Sequence, residues 1–397
     1  MIPALIILIV LLVLLGLPLF LGILAAALLG LHASGVEFAA VMIEIYRLAN
    51  APVLLAIPLF TFAGYLLAEG GTSRRLVRFS RSLFGWVPGG LGVVALASCA
   101  FFTALTGATG ITIIALGGLL FPALLSEEYS EDFSLGLMTI SGSLGLHFPP
   151  SLPLILYGFV SGQDIDKLFL AGLIPGLIMV ALPCLFSIWK GMRWKLQRPP
   201  FRGGEVLSAL REAAWELPIP FLILACIYLG LTTATEAAAL TVGYVLFIKT
   251  VVFREIRITT NLPRIMLESM KMVGGIMIIL GAALAFTNYL VDAFIPMKIL
   301  HFLEGTIRTK TGFLLVLNAF LILVGCMMDI FSANLGIGYN TPPVGLNLFI
   351  ASSRFEKPVA RLYRATLPFL LILLFSLLLI TYFPALSLTL PRLFGTG

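Results

Sequence analysis

The sequence predicts an all-α polytopic membrane protein with two inverted repeats, re-entrant hairpins and discontinuous helices. Three observations carry this. Of the 397 residues, 60% are hydrophobic and 11% charged, and mean hydropathy is +1.08, whereas a soluble domain carries about 25% charged residues. Secondly, one phrase occurs twice. Gly145-Leu146-His147-Phe148-Pro149-Pro150 returns as Gly338-Tyr339-Asn340-Thr341-Pro342-Pro343, and the offset of 193 residues holds again from Pro175 to Pro368. Thirdly, Lys and Arg gather in four loops between apolar segments, which accounts for the net charge of +6 as a topology signal. No basic stripe with interleaved aromatics points to nucleic acid.

The first repeat is expected over 1–190, with scaffold helices in 1–85, a hairpin at 90–125, a broken helix at 133–160 and a helix at 168–190. The stretch from Ile2 to Leu31 has no charge. It is too long for the 7–15-residue core of a signal peptide and reads as a retained membrane segment. The segment 90–125 exceeds one span of about 20 residues. Its middle (Thr103, Thr106, Gly107, Thr109, Gly110, Thr112) is polar, so a hairpin with its tip near 106–110 is predicted. In 133–160 the pair Pro149-Pro150 removes two backbone donors and must break the helix. A polar linker at 191–214 follows. The second repeat, 215–397, holds scaffold helices at 215–295, a hairpin at 311–333, a broken helix at 334–352 and a helix at 364–394.

Loop charges set the orientation. The clusters Arg74/Arg75/Arg78/Arg81, Lys190/Arg193/Lys195/Arg198/Arg202, Lys249/Arg254/Arg257/Arg264 and Arg354/Lys357/Arg361/Arg364 are all placed on the cytoplasmic side. That is consistent only if 90–125 enters and leaves on one face, and it makes the two repeats inverted.

Broken backbone at membrane depth is tolerated where it is buried in protein or lines a cavity, and paired breaks in corresponding halves point to a carrier's binding site. The tip Thr106–Gly110 is therefore paired with Phe148–Ser151. In the second repeat Gly325–Ser332 is paired with Asn340–Gly345. Hydroxyl, carboxylate and carbonyl oxygens suit a hard cation. Asp329 lies in an apolar stretch, where a carboxylate is expensive and functional by default. Glu236 follows Thr233 by three residues and reads as a helix cap. His147 reads as a packing residue. The sequence has no HExxH, GxSxG, Walker A or CxxC, so enzymes of those classes have no motif support, and the protein is expected to be no enzyme.

At these residues the chain resembles the large membrane subunit (M subunit) of TRAP (tripartite ATP-independent periplasmic) transporters. The phrases are Ile57–Gly64, Pro149–Gly158, Leu168–Gly176, Ala234–Ala239 and Thr341–Phe349. The resemblance implies an ion-transporter-superfamily elevator fold and Na⁺-coupled uptake of an organic acid (a C4-dicarboxylate, sialic acid or similar carboxylate). It implies three partners besides the lipid bilayer: a small four-helix membrane subunit, a periplasmic substrate-binding protein and the small organic acid itself. It also implies the bacterial inner membrane and no cofactor beyond Na⁺ as coupling ion. Carried onto this chain, sodium site 1 comprises Thr106, Gly107, Thr109, Pro149, Pro150 and Ser151. Sodium site 2 comprises Gly325, Asp329, Ser332, Thr341 and Pro342. The substrate would meet Thr109, Ser151, Asp329, Asn340, Thr341 and Asn347. A stand-alone Na⁺/anion symporter of the same superfamily, and a passive channel, remain alternatives.

The chain departs from that pattern in two places. Ala108 lacks the hydroxyl that the family often has at the first tip. Gly107 and Pro149 are 42 positions apart, but Gly325 and Pro342 only 17. About one membrane span, the return arm of the second hairpin, is expected to be missing between Ala333 and Asn334.

Overall fold

The structure, a computed structural model, describes residues 5, 8–9, 11–12, 17–35, 39–196, 199–295, 297–298, 301, 309, 312–317, 336–342 and 345–394. Among them the elements are helices and turns, with no strand. Of the expected site, Gly325, Asp329 and Ser332, with the junction Ala333–Asn334, lie outside the described residues.

Two compact units are present, Met1–Leu55 with Leu267–Leu315, and Ala56–Met266 with Val316–Gly397. Each draws on both expected repeats. In the first, α1 (Leu19–Ala33), α2 (Ala39–Ala49) and the later part of α13 (Asn261–Asp292) bury Ala27, Leu31, Val41 and Ala285.

The second unit holds α3 (Ala56–Ala68), α4 (Thr72–Phe84), α5 (Gly90–Thr106), α6 (Thr109–Ser126), α7 (Glu131–Leu144), α8 (Leu152–Ser161) and α9 (Ile165–Trp194). After these come α10 (Gly203–Ala213), α11 (Ile219–Tyr228), α12 (Ala234–Phe247), α14 (Leu346–Phe355), α15 (Val359–Tyr382) and α16 (Ala385–Phe394). Helices α5 and α7 are buried almost all round. A helix apolar on every side belongs at the centre, and α4, α6, α9 and α15 pack around this pair. Five described helices are long and apolar enough to cross a membrane, among them α6, α9, α13 and α15.

Helices α5 and α6 form a hairpin. The Gly92 amide, near its start, donates to the Tyr129 hydroxyl just past its end at 3.3 Å, and Arg81 pairs with Glu127 at 2.6 Å. Both ends therefore lie at one level. Ser130 caps α7 through its side chain, and Glu131 and Asp132, favourable at a helix N-terminus, receive Lys357 and Arg361 at 2.7–2.9 Å. Thr233 and Glu236 form the capping box of α12.

The expected linker is partly helical. α9 continues through Pro175 and Pro183 to Trp194, and Gly203–Ala213 is α10, which packs on α4. The expectation of a linker rested on the polar composition of 191–214, whereas the amphipathic run from Gly203 finds a partner in α4 and folds.

One polar cluster was not anticipated. Arg75 on α4 donates to both oxygens of Glu216 at 2.6 and 2.9 Å and to Glu255 at 2.6 Å. Lys249 Nζ reaches Thr72 Oγ1 at 2.6 Å, Glu255 at 2.8 Å and Glu216 at 3.3 Å. Thr72 in turn donates to Glu216 at 2.7 Å. The side chains of Glu216 and Lys249 are 0% exposed. Two cations face two anions, so the buried charge is balanced, and Phe253 covers the Arg75 guanidinium at 3.8 Å. Burial pushes the Glu255 carboxyl up, but hydrogen bonds from Arg75 and Lys249 outweigh it and hold it at about 2. This quartet ties the start of α4 to the turns before α11 and after α12.

Candidate functional site

The hairpin tip is built by two residues outside either helix. Gly107 ends α5 with φ 66°, the left-handed region open to glycine, and its amide closes on Thr103 O at 2.7 Å. Ala108 is extended and begins α6. Thr106, Ala108 and Thr109 are all buried. Below the tip, Thr103 Oγ1 donates to Gly142 O at 2.9 Å and lies 2.7 Å from Thr112 Oγ1. Thr112 Oγ1 also donates to Ala108 O at 3.3 Å. The bond to Gly142 fastens α5 to α7, and the threonine pair ties α6 to α5.

The first break lies beside the tip. α7 tightens into a 3₁₀ turn at Gly145–His147, the backbone is extended at Phe148 and Ser151, and α8 leaves at 47°. Pro149 and Pro150 are buried and bring no amide. Ser151, 1% exposed, donates its hydroxyl to Leu146 O, so no side chain caps α8. A Cβ on Gly107 would sit 3.0 Å from Leu152 Cγ, which places the tip against the start of α8. From the other side, a Cβ on Gly64 of α3 would lie 2.5 Å from Thr106 O. The structure thus gathers the site 1 segments, tip and break, into one buried junction of helix ends. Such ends leave carbonyls and amides without ladder partners. His147 packs within it against Gly172 and Gly176 of α9.

The second break touches the first. Asn340, 0% exposed, donates to Ser143 Oγ at 2.8 Å and Gly336 O at 2.7 Å. Asn347, also 0% exposed, donates to Asn340 Oδ1 at 3.2 Å and Thr139 O at 3.5 Å. Thr341 Oγ1 donates to Ile337 O at 2.8 Å. The amide nitrogens of Asn340 and Asn347, both expected at the substrate, thus join the second break to α7, while Asn347 Oδ1 is buried without a hydrogen-bond partner among the described residues. Thr341 and Pro342 are partly buried beside them.

A further tie was missed in the sequence. α14 lies along α6. A Cβ on Gly110 would be 2.7 Å from Ile350, and one on Gly117 2.9 Å from Phe355. Phe121 meets Phe355 at 4.6 Å between centroids, and Arg354 Nε donates to Ile114 O at 3.1 Å. The glycine run of α6 was the available signal, since small residues let membrane helices approach closely.

A hairpin tip held against one broken helix, with a second broken helix bonded to the first, is the arrangement of a membrane transporter of the broken-helix class. The family model described as "Tripartite ATP-independent periplasmic transporter, DctM component" matches residues 5–335 and 330–386, and the chain belongs to that family of TRAP transporter large permeases. It is 32% identical over 382 residues to the C4-dicarboxylate TRAP transporter large permease protein DctM of Pseudomonas aeruginosa, covering 89% of each chain. To the ectoine TRAP transporter large permease protein TeaC of Halomonas elongata it is 30% identical over 418 residues, covering 96% and 97%. In fold it is similar to the crystal structure of the Alcanivorax borkumensis YdaH transporter (TM-score 0.53, 15% identity, covering 90% and 88%).

The short second repeat has a counterpart here. The TeaC alignment runs over 418 positions, more than the 397 residues of this chain, so that relative carries residues that this chain lacks. The two family matches meet at 330–335, around Ala333–Asn334.

Proposed function

We propose that this protein is the large membrane subunit of a Na⁺-coupled uptake system for a small organic acid, working in the bacterial inner membrane as a carrier rather than an enzyme. The observation that carries the reading is the buried junction of the Thr106–Thr109 tip with the Phe148–Ser151 break. Carbonyls and hydroxyls collected there are hard oxygen donors suited to Na⁺. The uncapped start of α8 supplies amides and a positive dipole end toward a carboxylate. Na⁺ binding would stiffen the tip and so complete the substrate surface. Thr109 and Ser151 contribute to that surface from the first repeat and Thr341 from the second, with Asp329 joining from the second tip.

The hairpin, both breaks, α14 and α15 are cross-linked by the Thr103–Gly142, Asn340–Ser143 and Arg354–Ile114 bonds and by the Arg361–Glu131 ion pair. A body so tied moves as one piece, which is what an elevator step requires. The family's description as tripartite and periplasmic supports a small four-helix membrane subunit and a soluble binding protein that delivers the substrate. Na⁺ serves as coupling ion and cargo, with no resident cofactor.

The test is uptake into proteoliposomes containing the large and small subunits. A Na⁺ gradient and the loaded binding protein should both be needed, and uptake should saturate. Uptake without the binding protein would select the stand-alone symporter, and flux without Na⁺ would select the channel.

A further inference from the structure

Outside the junction, an open groove of about 390 Å³ runs between α9 and α15, lined by Leu182, Phe186, Trp189, Leu371, Ile372 and Phe375. All six are apolar. One wall is held in place by rings. Phe186 stacks with Trp189 at 5.9 Å and meets Phe133 at 5.9 Å and Phe369 at 5.3 Å. Cations crowd the Trp189 end. Lys190 Nζ lies 5.4 Å from the Trp189 centroid, 5.7 Å from Phe186 and 5.2 Å from Trp194. Arg193 Cζ lies 5.6 Å from the same Trp189 ring. Aromatic faces stabilise both cations without neutralising them. Elsewhere in this unit Lys357 and Arg361 are paired with Glu131. Among the described residues no carboxylate pairs with Lys190 or Arg193.

We propose that this groove binds an anionic phospholipid, with an acyl chain along Leu182, Phe186 and Phe375 and the phosphate on Lys190 and Arg193. The chemistry divides along the groove. Its length is apolar, and its end carries two positive charges with no carboxylate partner among the described residues, at a tryptophan, the residue that favours the headgroup level. An acyl chain would cover the apolar wall, while a net negative headgroup would supply the missing counter-charge. A zwitterionic headgroup brings its own cation and would not. Basic residues near the headgroup plane recruit anionic lipid in this way.

The test is native mass spectrometry of the purified full-length protein titrated with phosphatidylglycerol or phosphatidylcholine of matched chains. Wild type should retain phosphatidylglycerol in preference. Lys190→Gln/Arg193→Gln should weaken that binding roughly 30-fold, from the contribution of two cations at the surface. Leu182→Trp, which fills the groove and leaves the charges, should also weaken it. Equal retention of both lipids by wild type overturns the proposal, as does unchanged binding in the charge variant. Displacement of phosphatidylglycerol by soluble glycerol 3-phosphate, with no effect of Leu182→Trp, would show a plain anion site and overturn it too. Should the filled variant misfold, the charge variant and the wild-type preference still decide.

Discussion

Replacing Lys249 by Met removes one of two cations from the buried quartet of Arg75, Glu216, Lys249 and Glu255. Met keeps the length of the apolar stem, so the change is chiefly one of charge. Glu216 is 0% exposed and loses a donor at 3.3 Å, and Glu255 loses one at 2.8 Å. Thr72 Oγ1 also loses its donor at 2.6 Å. One net negative charge is then left inside. Breaking a buried pair from one side costs about 3–5 kcal/mol. Removing Glu255 as well, in Lys249→Met/Glu255→Gln, restores the balance of Arg75 against Glu216. The double variant should then cost less than the sum of the two single changes by about 1–3 kcal/mol, the coupling expected of contacting charges. The assay is denaturant unfolding of the three variants and wild type in detergent, under one fixed protocol. Additive effects, or a single Lys249→Met cost below about 1 kcal/mol, would refute the reasoning.

The same quartet has a pH signature. The Glu255 carboxyl is held down at about 2 from its ordinary 4.5, so its contribution is fully present above about pH 4.5 and is lost as pH falls toward 2. It amounts to about 3 kcal/mol, and a stability–pH curve of Glu255→Gln should lack that acid limb. Arg81→Gln should change stability by less than about 1 kcal/mol in the same assay, because the Arg81 side chain of the Glu127 pair is 53% exposed. Gly107→Ala should cost about 1–2 kcal/mol for a left-handed alanine and lower uptake, its Cβ arriving 3.0 Å from Leu152. Thr103→Val should cost about 1–3 kcal/mol, by unfolding in detergent, as Gly142 O loses a buried donor and Thr112 one of its two partners.

The tip and the first break were legible because their causes are local. A proline pair lacks two amides wherever it lies, and Gly107 between Thr106 and Ala108 can turn a helix back within two residues. Glu236 was legible as a cap for the same reason, since Thr-x-x-Glu is a contact between neighbours. The quartet was not legible. Arg75 and Glu216 are 141 positions apart and Arg75 and Glu255 180, and each basic member already had an explanation as a loop charge. The same limit holds for the bonds of Asn340 to Ser143 and of Asn347 to Thr139, whose partners lie 197 and 208 positions away in sequence. The expectation of a missing arm in the second repeat rests on comparing Gly107–Pro149 with Gly325–Pro342. Inserting the relatives' segment between Ala333 and Asn334 should raise Na⁺-dependent uptake, with transport as the readout.

The most direct measurement is radiolabelled Na⁺ binding to the purified protein against a K⁺ background. Saturable binding is predicted for wild type, weakened by Thr106→Val combined with Ser151→Ala, with helix content unchanged. Binding no greater than that of K⁺, or binding that the paired substitution leaves intact, would contradict an ion site at the junction of the tip and the first break.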